Sequence, residues 1–138
     1  MEQQFASLKA KISFEQAARM QRREEYAKMW EQAWQAGHAA GAAHKPRAMI
    51  VCDATGSPIE TVNDGMCGFA WVTVLGANKG FGYWLIKQGL ANRGYTKGAQ
   101  IWISAYNQSY ERKSAHAYAM AESLRANGID AYSDGRLD

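Results

Sequence analysis

Proline and cysteine are both scarce in this 138-residue chain, with two of each. Neither proline, Pro46 or Pro58, falls in the first 45 residues, so nothing of that kind interrupts a helix there. The cysteines, Cys52 and Cys67, lack the close pairing of a zinc knuckle or a redox motif, and nothing else marks a secreted chain. Free, buried thiols are therefore expected. No apolar run approaches the length of a membrane span, and the opening MEQQFASLKAKISFEQ has no apolar signal core. These absences point to a protein kept in a cytoplasm.

Chemical signatures are missing as well. His38 and His44 lie six residues apart and His116 stands alone, without a fourth ligand or paired carboxylates, so no metal and no cofactor is expected. Asp53, Asp64, Asp130, Asp134 and Asp138 fall where loops and strand ends are read, which turn formation and solvation explain. No catalytic set stands out, although a site assembled from scattered polar residues would leave no motif. Excess charge is small: the net +3 comes from eight Lys/Arg against five Asp/Glu in residues 1 to 47, whereas residues 48 to 138 carry eight of each. That balance argues against phosphate binding by the whole surface.

What the chain does have is apolar and aromatic volume, 47% and 12% of its residues, enough for one domain with a real core. Residues 1–46 form a helical segment by composition. Ser13 followed by Gln16 reads as a capping box, which predicts a break near Ile12 and a main helix from about Phe14 to Ala40. Phe14, Ala17 and Ala18, then Tyr26, Met29, Trp30, Ala33 and Trp34, fall at helical spacing. Residues 47–67 read as a connector with one short strand, Met49 to Cys52, followed by Gly, Pro, Asn and Asp punctuation.

The stretch NKGFGYWLI, residues 78–86, imitates the RNP1 signature of an RNA-recognition module. Read as the third strand of such a fold, it needs a strand, a helix and another strand before it, and residues 48–75 leave no room for the helix. It is therefore read as a helix beginning near Asn78 and stopping at Gly89, with a first turn made irregular by Gly80 and Gly82. Around it lie strands at Gly68–Leu75, Asn92–Thr96 and Ala99–Tyr106, the last two joined at Lys97-Gly98. A helix over Ser109–Asn127 with Gly128 after it, and a strand at Ile129–Ser133, complete the order βαββαβ. Ser109, Glu111, Arg112 and Lys113 open that second helix; capping explains them more simply than an anion site.

This order predicts an α+β protein, a long N-terminal helix followed by a ferredoxin-like antiparallel sheet over residues 68–138, with both helices on one face. Alternation turns Ala70, Val72, Val74, Ile101, Ile103 and Ala105 toward the helices. Phe69, Trp71, Trp102 and Tyr106 then go to the opposite face, joined by Tyr132. So many rings need a cover. Three covers compete: the leading helix laying Tyr26, Met29, Trp30 and Trp34 over them, a second copy or another protein, or the bases of a single-stranded nucleic acid. The candidate binding set is thus Phe69, Trp71, Trp102, Tyr106, Tyr132, Trp30 and Trp34.

Residues 66–138 also resemble small uncharacterised proteins of tailed bacteriophages, through MCGFAWVTV, FGYWLIKQGLA, IWISAYNQSYERKSAHAYAMAESLRANGI and the ending AYSDGRLD. The resemblance implies a phage setting and carries no functional residue with it. Together these readings predict a non-enzymatic phage accessory protein, in the cytoplasm of an infected host or in the virion. It is expected to bind a protein partner, such as a host or defence factor, and to self-associate, with a structural virion role and single-strand binding as alternatives.

Overall fold

The computed structural model describes residues 2–94 and 98–138, with the backbone alone at Glu2 and Phe5. It is α+β, with a long N-terminal helix and antiparallel sheets. Helix α1 runs unbroken from Glu2 to Ala43, 42 residues or about 63 Å. The expected break near Ile12 is absent. Ser13 sits inside the helix, and with no proline there and no glycine before Gly37, good helix formers carry the chain past it.

Strands β1 (Met49–Cys52) and β2 (Pro58–Val62) pair as an antiparallel hairpin, where a single short strand was expected. The side chain of Asp53 builds the turn: its Oδ1 accepts from the backbone N–H of Thr55 at 2.9 Å and of Ser57 at 3.0 Å. Gly56 supplies a positive φ of 86°. A bond from the Thr55 hydroxyl to the same Oδ1, at 2.6 Å, leads these backbone bonds in holding the Asp53 carboxyl below its usual range. Pro58 at the start of β2 disguised the strand, because proline is confined to strand edges and first positions.

The remaining elements are β3 (Gly68–Val74), α2 (Gly80–Lys87), β4 (Asn92–Arg93), β5 (Ala99–Trp102), α3 (Tyr110–Ala126) and β6 (Ala131–Leu137). Their four strands form one antiparallel sheet in the order β4-β5-β3-β6. The strand expected over Asn92–Thr96 is formed at Asn92 and Arg93. Its end and Lys97 of the expected turn lie outside the described residues, while Gly94 N–H donates to the Gly98 carbonyl at 3.1 Å. Strand β5 stops four residues earlier than expected, at Trp102, and β6 starts two residues later and ends four residues later than expected.

Ala70, Val72, Val74, Ala99, Ile101, Ile103 and Ala131 are buried on one face of the sheet. They share a core with Phe81 and Leu85 of α2 and with Ala117, Met120, Ala121 and Leu124 of α3. NKGFGYWLI is therefore a turn and a helix, and its aromatic residues belong to α2. Ser109 caps α3: its buried Oγ accepts from the Arg112 N–H at 3.4 Å and donates to the Asp64 carbonyl at 2.9 Å. Gly128, at φ 80°, follows the helix. Replacing Ser109 by alanine removes the cap and orphans the carbonyl, so urea unfolding should show a loss of about 1–2 kcal/mol.

Candidate interaction surfaces

Cross-strand pairing fixes what the open face of the sheet displays. Phe69 and Trp71 of β3 stand opposite Arg136 and Asp134 of β6, Trp71 opposite Trp102 of β5, and Thr73 opposite Tyr132. Phe69, Trp71 and Trp102 form one aromatic cluster, with ring centroids 6.3 Å apart for Phe69–Trp102 and 4.8 Å for Trp71–Trp102. The Arg136 guanidinium lies 5.4 Å from the Phe69 centroid, within cation–π range. Trp102 keeps 41% and Tyr132 43% of their surface in solvent. Four of the seven candidate residues thus share this face.

The other three do not. Helix α1 packs on α3, on the helical side of the sheet, and leaves the aromatic face uncovered by its indoles. Trp30 and Trp34 stack on each other at 5.7 Å, and Trp34 meets the His116 ring edge-on at 4.8 Å. The reason is local. Gly37 and Gly41, four residues apart on one face of α1, have no side chain, so α1 closes onto His116 of α3 and onto Tyr106.

Tyr106 is a correction of the same kind. Strand β5 ends at Trp102, and the chain turns through left-handed conformations at Tyr106 (φ 68°) and Asn107 (φ 53°), which carries the ring round to the helices. There its hydroxyl lies 2.9 Å from His116 Nδ1 and 3.3 Å from the His38 carbonyl. Both bonds form together when His116 Nδ1–H donates to the tyrosine oxygen and Tyr106 O–H donates to the carbonyl. His116 is fully buried and its Nε2 has no hydrogen-bond partner among the described residues. Burial, reinforced by nearby His38, pushes the His116 pKa down to about 4. Burial likewise raises the Tyr106 hydroxyl above its ordinary value. The arrangement is a neutral polar lock between α1 and the body. Among the described residues no cluster of three or more His, Cys, Asp or Glu side chains is placed to hold a metal ion.

Three further surfaces were not singled out in the sequence. On the hairpin, Ile50 and Ile59 are 59% and 66% exposed, and along the first half of α1 Leu8, Ile12, Phe14 and Met20 point into solvent. Cys52, on the hairpin, and Cys67 are free but exposed, contrary to the burial expected of them. Between α1 and α2 lies an open cleft of about 930 Å³ lined by Arg19, Arg22, Arg23 and Lys87 together with aromatic rings. The signal for it was present, since the three arginines share one face with Tyr26, but a charged helical stripe ordinarily means a solvated one.

No helix among the described residues is long and apolar enough to cross a membrane. No protein-family model, no curated protein and no solved structure matches this chain.

Proposed function

We propose that this is a non-enzymatic accessory protein that acts by binding protein, including a second copy of itself, through the open face of a ferredoxin-like domain. The order β4-β5-β3-β6, with α2 and α3 sharing one core, supports the ferredoxin-like reading. The observation that carries the function is that α1 is spent on α3, so none of its rings covers the Phe69–Trp71–Trp102 cluster, in which Phe69 and Trp71 are half-buried and Trp102 is exposed. Trp and Tyr are preferred interface anchors because each buries a large rigid area with few torsions to freeze. The phage resemblance of residues 66–138 supplies the setting, in which a host or defence factor is the natural partner. Asp134, opposite Trp71, offsets Arg136, opposite Phe69, so the two residues add no net positive charge for phosphates, which counts against nucleic acid on this face.

Light scattering on a gel-filtration column tests the proposal. The wild type should associate with rising concentration, and the Trp71→Ser/Trp102→Ser double variant should run as a monomer with its helical signal intact, because both rings lie outside the core. A wild type that stays monomeric at every concentration, and binds no protein of the host, removes it.

The projecting half of α1 favours a second reading, a structural component of the virion in which the helix docks between neighbouring subunits. Leu8, Ile12 and Phe14 are exposed there. Mass spectrometry of purified particles decides the matter, and absence from the particle ends that reading.

A further inference from the structure

The stripe of α1 that faces the rest of the molecule changes character along its length. From Tyr26 onward it continues through Trp30, Ala33, Gly37 and Gly41, all buried or half-buried. One turn upstream the same stripe reads Arg19, Arg22, Arg23, at positions i, i+3 and i+4 before Tyr26 at i+7. Where apolar residues would close α1 onto α2, arginines stand instead and line an open cleft between the two helices.

The chemistry of that cleft is one-sided. Its lining holds four cations, Lys87 of α2 facing the three arginines, and no acidic side chain; Glu24 and Glu25 of the same helical turns are not part of it. Like charges at i,i+3 and i,i+4 repel, so a bound anion would relieve the arrangement. Gly80, which begins α2, also lines the cleft. Its neighbour Lys79 gives α2 no side-chain cap.

The cleft also has aromatic walls. Tyr26 meets Phe81 at 5.6 Å and Trp84 at 6.0 Å, and Phe81 stacks on Trp84 at 5.8 Å, so the Trp84 ring is braced from behind. Tyr83 is 40% exposed and has the Lys87 ammonium 5.8 Å from its centroid. Cations that hold phosphate beside rings that take a base are the two halves of a nucleotide site, since every base has a face that can stack on an aromatic ring. The volume of about 930 Å³ lies at the upper end of small-molecule pockets, which run to about 1,000 Å³.

We propose that this cleft binds the nucleotide unit, with phosphate on Arg19, Arg22, Arg23 and Lys87 and a base against Tyr83 and Trp84, supplied as a free nucleotide or within a single strand. It is separate from the aromatic sheet face and stands whether or not the chain self-associates.

Binding is read by fluorescence titration with adenosine monophosphate and with an oligodeoxyadenylate of about ten nucleotides, against pyrophosphate and heparin as base-free anions. Tight binding of the strand alone assigns the source as single-stranded nucleic acid; comparable binding of the monophosphate assigns it as free nucleotide. For the strand, four contacts predict a log–log salt slope of about −3, falling to about −1.5 in Arg22→Gln/Arg23→Gln. That variant should bind at least about tenfold more weakly at low salt, and Tyr83→Ala several-fold more weakly. All three substituted residues are exposed, so circular dichroism should be unchanged. Trp71→Ser/Trp102→Ser should bind as the wild type does. The proposal is overturned if neither nucleotide ligand binds, if the arginine variant binds normally, or if heparin and pyrophosphate compete equally well and Tyr83→Ala has no effect.

Discussion

Gly37→Ala is expected to destabilise the protein by about 2 kcal/mol, although alanine is the better helix former by about 1 kcal/mol. A methyl group at this position would sit 2.5 Å from His116 Cδ2, 2.7 Å from His116 Nε2 and 2.9 Å from the His116 carbonyl oxygen. Real Cβ atoms do not approach so closely. The ring is fully buried and the carbonyl belongs to the backbone of α3, so relief requires α1 to lift away, and overpacking of that kind costs about 1–3 kcal/mol or more. Urea unfolding of Gly37→Ala beside Ala39→Gly separates the two effects. Residue 39 is exposed, so Ala39→Gly should lose only the propensity difference. If Gly37→Ala proved as stable as the wild type, α1 would not be seated on α3 as described, and the account of the open sheet face would fall with it.

The second large effect is acid sensitivity, and it originates at the same contact. His116 has a folded pKa of about 4 against an ordinary 6.5, because burial penalises the imidazolium. Between those values the unfolded chain binds a proton that the folded protein refuses, so stability is full above pH 6.5 and is lost as the pH falls toward 4. The shift corresponds to up to about 3 kcal/mol. Unfolding free energies at pH 7.5 and 4.5 measure it. Asp53 does not confuse the result, since its carboxyl is held below its ordinary value of 3.8 and titrates beneath this window. Equal stability at the two pH values would mean that the His116 ring reaches water.

How much of this was legible beforehand depends on how local the physics is. Strand alternation is local, and it placed Ala70, Val72, Val74, Ile101 and Ile103 on the buried side and Phe69, Trp71 and Trp102 on the other. The helix at residues 80–87 followed from spacing, despite its likeness to an RNA-binding strand. Tyr106 was misplaced because parity was carried past the end of β5, whereas two consecutive left-handed residues rotate the chain there. Trp30 and Trp34 were misplaced for a different reason. Their own pattern says only that they need a partner, and the choice of partner is made by Gly37 and Gly41, whose role lies in what they lack. The hairpin was half-seen, since Pro58 reads as punctuation when it opens a strand. Of the cleft, the arginines were noticed only as a charged midsection, because Lys87 and Tyr83 join them through the fold and lie about sixty residues along the chain.

The first half of α1 has one more implication. From Gln3 to Arg19 the helix advances about 24 Å, at 1.5 Å per residue, before its side chains begin to face α2. It is in effect a ruler. Whatever grips the tip is held at a set stand-off from whatever occupies the sheet, and deleting three or four residues from the exposed span would shorten that stand-off by about 5 Å and swing the tip round the rod's axis without touching the core.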